Sequence, residues 1–209
     1  MTSVSIIGAG GMARAIAGVA KNAGADLQVV SRDPTEARRV TTELGAGTPG
    51  TLGDPLTGEI VVLALPFSAA TEVAGQQREA LAGRIVVDIT NPVNFATFDA
   101  LVVPTDSSAT AAIQEAAPEA KVVKAFSTTF AATLERGTLS GAPLAVLVAG
   151  DDDGARRAVI DLANAAGLRG VDAGNLKRAR ELEALGFLQM TLAASGGTTW
   201  DGGFALVGP

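Results

Sequence analysis

Short apolar runs alternate along the chain with segments in which apolar residues recur at helical spacing. The first run, Val4 to Ile7, stops at glycines, and helical spacing then begins with Met12, Ile16 and Val19. Further runs of this kind cover 25–30, 59–65, 83–88, 121–126 and 143–149, with a short last one at 171–172. Runs without an exposed polar face are typical of buried parallel strands. The pattern predicts an α/β fold: a doubly wound, mostly parallel sheet of the Rossmann type with a small C-terminal helical extension.

The boundaries of the helices carry local signals of their own. Asp33 and Pro34 predict a helix start, and Gly45 predicts where that helix ends. Ser68 is expected to cap a helix that runs to about Leu81. Three further helices are expected from Ser108 to Ala117, from the carboxylates at 151–153 to Ala166, and from Leu176 to Ala194.

The connection between the first strand and the first helix has the sequence Gly8-x-Gly10-x-x-Ala13. Gly8 allows a sharp turn, Gly10 lets a pyrophosphate approach the backbone, and Ala13 keeps the helix close to the strand. The free N–H groups at the helix start favour phosphate. The motif predicts a dinucleotide site formed by Gly8, Ala9, Gly10, Gly11, Met12 and Ala13.

The second strand ends in Ser31 and Arg32, where an NAD enzyme usually has an acidic residue. A carboxylate would repel a 2′-phosphate, whereas a hydroxyl and a guanidinium donate hydrogen bonds to it. The pair therefore predicts NADP(H) as the dinucleotide. We expect residues 1–150 to form the NADP-binding domain, and residues 151–209 to form a smaller α/β part that contributes to the substrate pocket and to a dimer contact.

Composition restricts the chemistry that the chain can perform. Its 209 residues include no His, no Cys and no Tyr, so the commonest acid/base and metal-binding groups are missing and we expect no metal site. Lys124 and Lys177 are the only plausible proton donors; we interpret Lys124 as a surface charge at a strand end and Lys177 as part of a solvated helix face. We therefore expect no catalytic side chain of the acid/base kind.

Charge and hydropathy restrict location and partners. The net charge of −6 argues against nucleic-acid binding. The apolar stretch at the N-terminus is only as long as a strand, and no apolar run approaches the length of a membrane span. We expect a cytoplasmic protein that acts on a small-molecule redox coenzyme.

The strand ends taken together resemble one family, the coenzyme F420-dependent NADP oxidoreductases, over nearly the whole chain. The matching segments are Gly8 to Ala13, Ser31-Arg32, Leu65-Pro66-Phe67, Asp88 to Pro92, Val122 to Phe126, Gly150 to Asp152, and Asp172 to Glu183. The resemblance implies hydride transfer between NADP(H) and the deazaflavin coenzyme F420. It also implies that Ser31 and Arg32 contact the 2′-phosphate, and that the nicotinamide and deazaflavin are lined by residues around Leu65, Pro66, Phe67 and Asn91 and by the segment from Thr128 to Ala131.

Direct hydride transfer suits a chain without proton-donating side chains, since the protein mainly orients two rings in dry surroundings. Phe67 and Trp200 are the candidates for a wall beside the second ring. Two other functions stay open: an NADP-dependent reductase of a small imine or carbonyl compound, and a non-catalytic NADP(H)-binding redox sensor.

The segment from Leu176 to Ala194 is apolar on more than one face, with Phe187 and Met190 added to its leucines. A helix that is apolar nearly all round needs partners on several sides. We therefore expect a homodimer built on this helix and on the tail that follows it.

Overall fold

The computed structural model describes residues 2–207. The ten strands are β1 (Ser3–Ile7), β2 (Asp26–Ser31), β3 (Thr48–Thr51), β4 (Ile60–Leu63), β5 (Ile85–Asp88), β6 (Lys121–Lys124), β7 (Thr138–Leu139), β8 (Ala142–Pro143), β9 (Ala145–Gly150) and β10 (Arg169–Gly174). The helices are α1 (Gly11–Asn22), α2 (Pro34–Leu44), α3 (Phe67–Gln76), α4 (Arg78–Leu81), α5 (Ala109–Ala116), α6 (Ala131–Arg136), α7 (Asp153–Ala165) and α8 (Ala179–Ala194). A turn of 3-10 helix, Leu176–Arg178, precedes α8.

Eight of the strands form one sheet in the order β10-β9-β6-β5-β4-β1-β2-β3. The six strands β1 to β6 are parallel to one another, whereas β9 pairs antiparallel with β6 and β10 continues parallel to β9. The strand order reverses between β1 and β4, and such a switch point leaves a crevice at the carboxyl ends of the strands. The predicted doubly wound, mostly parallel α/β fold is confirmed.

Helices cover both faces of this sheet. One apolar core joins α1, α2, α6 and α7 to the sheet and includes Ile16, Val40 and Val159. The other core lies against α3 and α5 and includes Val73 and Ile113. Because both faces are buried, β4 is apolar at each of its four positions, as its sequence run indicated.

Several helix ends follow the local signals. The Asp33 carboxylate accepts a hydrogen bond from Thr35 N at 2.9 Å, and Gly45 ends α2 in the left-handed conformation at φ 62°. Ser108 and Asp152 cap α5 and α7 in the same manner. These caps satisfy N–H groups that a helix leaves without an internal partner.

Two expectations about helices were wrong, and one hairpin was missed. The helix expected from Ser68 begins at Phe67 after Pro66, without a capping side chain, and a break at Gln77 separates α3 from α4. The helix expected from Leu176 begins with one turn of 3-10 geometry. The β7–β8 hairpin was not predicted, because its strands have two residues each and no alternation to recognise.

The strand that follows residue 150, β10, extends the same sheet that carries the glycine loop. The division into residues 1–150 and 151–209 stays a prediction. Within the described residues, no helix is long and apolar enough to cross a membrane.

Candidate NADP and ring-binding site

The glycine loop lies at the switch point of the sheet. Gly8 has φ 130°, and a Cβ at this position would overlap the carbonyl group of Ala64, so a larger residue fits neither the backbone nor the space. Gly10 is the N-cap of α1, and a Cβ there would meet nothing within 4 Å. Neither a capping side chain nor an acidic residue occupies the first turn of α1. The positive end of this helix therefore faces open space, which fits an anionic group such as pyrophosphate.

An outer cavity of about 490 Å³ extends from the glycine loop to the end of β2. Its lining includes Gly8, Ala9, Gly10, Ser31, Arg32, Glu36, Leu52, Leu65 and Pro66. Arg32 is the only cation in this lining, it is exposed, and within residues 2–207 it forms no ion pair. The guanidinium of Arg32 is therefore available to donate hydrogen bonds to a phosphate group.

Glu36, the acidic residue nearest to Arg32 in sequence, is already paired. Its Oε2 atom lies 2.9 Å from Arg39 Nη2, and Arg39 Nη1 lies 3.0 Å from Glu43 Oε1. Hydrogen bonds to Glu36 and Glu43 raise the pKa of Arg39. Arg39 thus offsets the charge of Glu36, and the second carboxylate of the lining, Glu72, accepts a hydrogen bond from Gln76 Nε2 at 2.9 Å.

An inner cavity of about 500 Å³ adjoins the outer one and shares Gly10, Ala64, Leu65 and Pro66 with it. The ends of β4, β5 and β6 form its floor, and α8 with the C-terminal tail forms one wall. Its lining includes Met12, Ala13, Phe67, Thr90, Asn91, Phe126, Ser127, Ala131, Gly186, Gln189, Met190 and Trp200. Among the described residues, this lining contains no charged side chain.

Aromatic rings stand on two sides of the inner cavity. Phe67 begins α3 on one side, and Trp200 packs at a tilt of 55° against Phe130 on the other, with 5.1 Å between ring centroids. The tail that carries Trp200 is fastened to α6, because Arg136 donates to the Asp201 carboxylate at 3.0 Å and Thr133 donates to Gly202 O at 3.0 Å. An apolar space bounded by rings suits a planar heterocycle.

Three polar side-chain atoms in this lining are buried without a hydrogen-bond partner: Thr90 Oγ1, Asn91 Oδ1 and Ser127 Oγ. The other end of the Asn91 amide is fixed, because Nδ2 donates to Ser127 O at 2.7 Å. Phe126 precedes Ser127 with φ 61°, which is strained for a bulky residue and redirects the chain at the end of β6. Buried polar atoms are nearly always paired, so these three atoms leave hydrogen-bonding capacity unused in the wall of the inner cavity.

Lys124 is not the surface charge that the sequence suggested. Its side chain is fully buried, and its ammonium group lies 2.7 Å from Asp88 Oδ2, 2.9 Å from Glu183 Oε1 and 2.6 Å from Thr90 O. Three acceptors match the three donors of an ammonium group. The expectation was wrong because α8 covers the carboxyl end of β6 and brings Glu183 onto it.

Glu183 of α8 is also fully buried, and its carboxylate lies against the first residues of α5. Its carboxylate accepts from Ala109 N at 3.0 Å, and Thr110 Oγ1 donates to Asp88 Oδ2 at 2.8 Å. Burial raises the pKa of Glu183, and the nearby Lys124 ammonium only partly opposes that shift. Two carboxylates thus share one ammonium in a site without water access, which we name the Lys124 cluster: Asp88, Thr110, Lys124 and Glu183.

The structure gathers most of the residues expected to form the site. Gly8, Ala9, Ser31 and Arg32 line the outer cavity; Met12, Ala13, Phe67, Asn91, Ala131 and Trp200 line the inner one; Gly10, Leu65 and Pro66 line both. Gly11 and Thr128 are absent from both linings, although a Cβ on Gly11 would lie 3.9 Å from Ala131 Cβ. Lys177 is exposed, as expected of a solvated face.

Sequence reasoning missed Thr90, Gly186, Gln189 and Met190 as lining residues, and it left Ser127 unassigned to a position in the cavity. A signal existed for the Lys124 cluster: a lysine between apolar residues of a strand buried on both faces must find an acceptor. No comparable local signal marks Gly186, whose role depends on what α8 packs against.

The sequence and fold match known proteins. Residues 3–92 match the family model described as NADP oxidoreductase, coenzyme F420-dependent. The chain is 38% identical over 132 residues to the F420-dependent NADP reductase of Methanocaldococcus jannaschii. The matched segment covers 61% of this chain and 59% of that protein. The match therefore spans less than two thirds of that relative's length.

Solved structures extend the likeness over the whole chain. A provisionally assigned F420-dependent NADP reductase from Arthrobacter sp. FB24 is 26% identical, with a TM-score of 0.86 and coverage of 99% of this chain and 100% of that one. The hypothetical protein SMa0349 of Sinorhizobium meliloti is 32% identical, with a TM-score of 0.75 and coverage of 84% and 86%. An imine reductase from Bacillus cereus shares the fold alone, at 16% identity and a TM-score of 0.65 over 94% of this chain and 62% of that one. Residues 3–92, which contain the glycine loop and Arg32 of the outer cavity, therefore match the coenzyme F420-dependent NADP oxidoreductase family, and the likeness in fold extends over the rest of the chain.

Proposed function

We propose that this protein transfers a hydride between NADP(H) and the deazaflavin coenzyme F420. The observation that carries the proposal is the uncharged lining of the inner cavity, directly beside a glycine loop with an open helix N-terminus. Reduction of a carbonyl compound leaves an alkoxide that needs a proton donor, whereas transfer between two ring systems needs orientation and exclusion of water. A cavity without acids or bases is suited to the second task.

The outer cavity is the proposed place for the adenosine end of NADP(H). In this assignment the backbone from Gly8 to Ala13 holds the pyrophosphate, while Ser31 and Arg32 donate to the 2′-phosphate. The exposed and unpaired Arg32 guanidinium supports that role, since it has no competing partner among residues 2–207. The pairing of Glu36 with Arg39 supports it too, because it removes a negative charge that would oppose the phosphate.

The inner cavity is the proposed place for both rings. Leu65, Pro66, Asn91 and Ala131 would surround the nicotinamide, with Phe67 and Trp200 beside the second ring. When both coenzymes are bound, they supply the hydride donor and the hydride acceptor. The protein's contribution is to exclude water with apolar side chains and to orient the rings through Asn91, which lines the cavity.

An imine or carbonyl reductase and a redox sensor remain the alternatives. The likeness to imine reductases concerns the fold, and no ionisable side chain among the described lining residues could protonate such a substrate. No structural observation favours a sensor over an enzyme. A sensor would bind NADPH tightly and reduce neither F420 nor an imine.

The proposal is tested with NADPH that carries deuterium at both C4 positions of the nicotinamide, mixed with oxidised F420 and the protein under anaerobic conditions. Deuterium should appear at C5 of the deazaflavin without loss to water, because direct transfer exchanges no proton with solvent. Lys177→Met should keep the rate within about tenfold, since a general acid would contribute roughly 10²–10⁴. Loss of label to water, or absence of F420 reduction, would overturn the proposal.

We also propose that the protein is a homodimer. Leu188 and Leu192 of α8 are 50% and 36% exposed, and Leu206 and Val207 of the tail are exposed as well. Apolar patches of this kind are usually covered by a partner. Light scattering at micromolar concentration should give twice the mass of one chain, and Leu188→Glu should lower it; a monomeric wild type would contradict the dimer. A cytoplasmic location stays a prediction that cell fractionation would test.

A further inference from the structure

The Lys124 cluster does not touch the space where the rings are proposed to bind, yet it holds two parts of the wall around that space. The first part is the turn after β5. Asp88 Oδ1 accepts from Thr90 N at 2.8 Å, while Lys124 Nζ donates to Thr90 O at 2.6 Å. Both peptide groups that flank the Cα of Thr90 are thereby bound to buried charges. Thr90 and Asn91 then carry two of the three unpartnered polar atoms of the inner cavity.

The second part of the wall is helix α8. Glu183 is one helical turn before Gly186 and two turns before Met190, so these residues share a face. Gly186 and Met190 line the inner cavity, and a Cβ on Gly186 would lie 2.6 Å from Asn91 Nδ2. The bond from Lys124 to Glu183 therefore fixes how closely this face of α8 approaches Asn91.

Stability alone gives a poor account of such a cluster. Well-packed apolar residues often replace buried ion pairs at no cost in stability, because desolvation offsets much of the attraction. The cluster instead joins residues from β5, β6, α5 and α8, each bound at a defined atom. Directed bonds of this kind specify position more than they add to stability.

We infer that Asp88, Lys124 and Glu183 are positioning residues that set the width of the ring-binding end of the cavity through the Thr90–Asn91 turn and through α8. They act through their neighbours and touch neither ring. Weakening the cluster should loosen the grip on the nicotinamide and leave the adenosine end unchanged, since no cluster residue lines the outer cavity. The inference rests on the proposed function only in taking NADP(H) as the ligand.

The test compares Glu183→Gln with Glu181→Gln, the same substitution two residues away on an exposed glutamate of α8. Binding of NADPH is measured beside binding of 2′,5′-ADP, which has the adenosine end without nicotinamide. The single tryptophan, Trp200, lines the inner cavity and reports NADPH binding by fluorescence quenching, and calorimetry reports 2′,5′-ADP. Glu183→Gln should lower the affinity for NADPH roughly tenfold and leave the affinity for 2′,5′-ADP within about twofold of the wild type. Glu181→Gln should leave both within about twofold.

Thr110→Val provides a second variant, because it removes the hydroxyl that donates to Asp88 Oδ2 and, at 3.3 Å, to Glu183 Oε1, and it leaves every charge in place. It should lower the affinity for NADPH by a smaller factor than Glu183→Gln does. If Glu183→Gln fails to fold, Thr110→Val alone tests the positioning role. Equal weakening of NADPH and 2′,5′-ADP, or identical behaviour of Glu183→Gln and Glu181→Gln, would overturn the inference. Failure of the wild type to reduce F420 would overturn the proposed function alone, since the two binding constants still test the positioning role.

Discussion

Gly186 offers a sensitive test of how closely α8 packs against the site. An alanine in a helix interior is normally more stable than glycine by about 1 kcal/mol. At Gly186 the added methyl would lie 2.6 Å from both Asn91 Nδ2 and Ser127 O, whereas ordinary contact begins near 3.4 Å. The helix or the Asn91 turn must therefore move by roughly 0.8 Å, and overpacking of this kind typically costs about 1–3 kcal/mol.

Gly18 supplies the matched control for Gly186→Ala. It lies inside α1, and a Cβ there would meet nothing within 4 Å. Gly18→Ala should therefore raise the free energy of unfolding by about 0.4–1 kcal/mol. The difference between the two variants removes the helix-propensity effect and leaves the overpacking cost of about 1–3 kcal/mol.

Urea denaturation followed by circular dichroism measures both free energies of unfolding. For a domain of this size, the same difference separates the two melting temperatures by about 2–12 °C, with Gly186→Ala the lower. Gly186→Ala should also raise KM for the acceptor, because Asn91 and Ser127 are displaced. Equal stabilisation by both substitutions would refute the close packing of α8 on the site.

Three further results are expected. Arg32→Ala should weaken the binding of NADPH by about tenfold or more, since a charge-assisted contact is worth ~1.5–3 kcal/mol. In a fluorescence titration the affinity for NADH should barely change, and an equal loss of affinity for both nucleotides would contradict the assignment. Lys124→Met should lower the free energy of unfolding, measured in urea, by about 3–5 kcal/mol, because two buried carboxylates lose their cation. The control Lys121→Met removes only an exposed ion pair and should lower the free energy of unfolding by at most about 1 kcal/mol. Burial raises the pKa of Glu183 above its ordinary 4.5, so the native state holds this proton more tightly than the unfolded state. The stabilisation is thus complete below about pH 4.5 and is lost as pH rises through the raised pKa. Wild type should therefore lose stability relative to Glu183→Gln over that range, and a difference that stays constant with pH would contradict the prediction.

The sequence by itself determined the features that depend on neighbours along the chain. The apolar runs specified the strands, and the glycine loop between β1 and α1 specified an open helix N-terminus. Asp33 and Gly45 specified the ends of α2 to the residue. These signals work because caps, turns and the period of a helix or strand are set by interactions within a few residues. The position of Arg32, directly after β2, could also be predicted, because it follows from the order of strand, helix and strand in the βαβ unit.

Tertiary structure decided which charges and walls meet at the carboxyl edge of the sheet. Lys124 could be a surface charge until α8 covers β6, and its partner Glu183 lies in a different part of the chain. Glu183 also binds Ala109 N, a residue 74 positions earlier, which no local pattern connects to it. A buried charge takes its partner from whichever elements the fold brings within bonding distance. The same holds for Gly186, where the need for a missing Cβ arises only from the Asn91 and Ser127 atoms that α8 packs against.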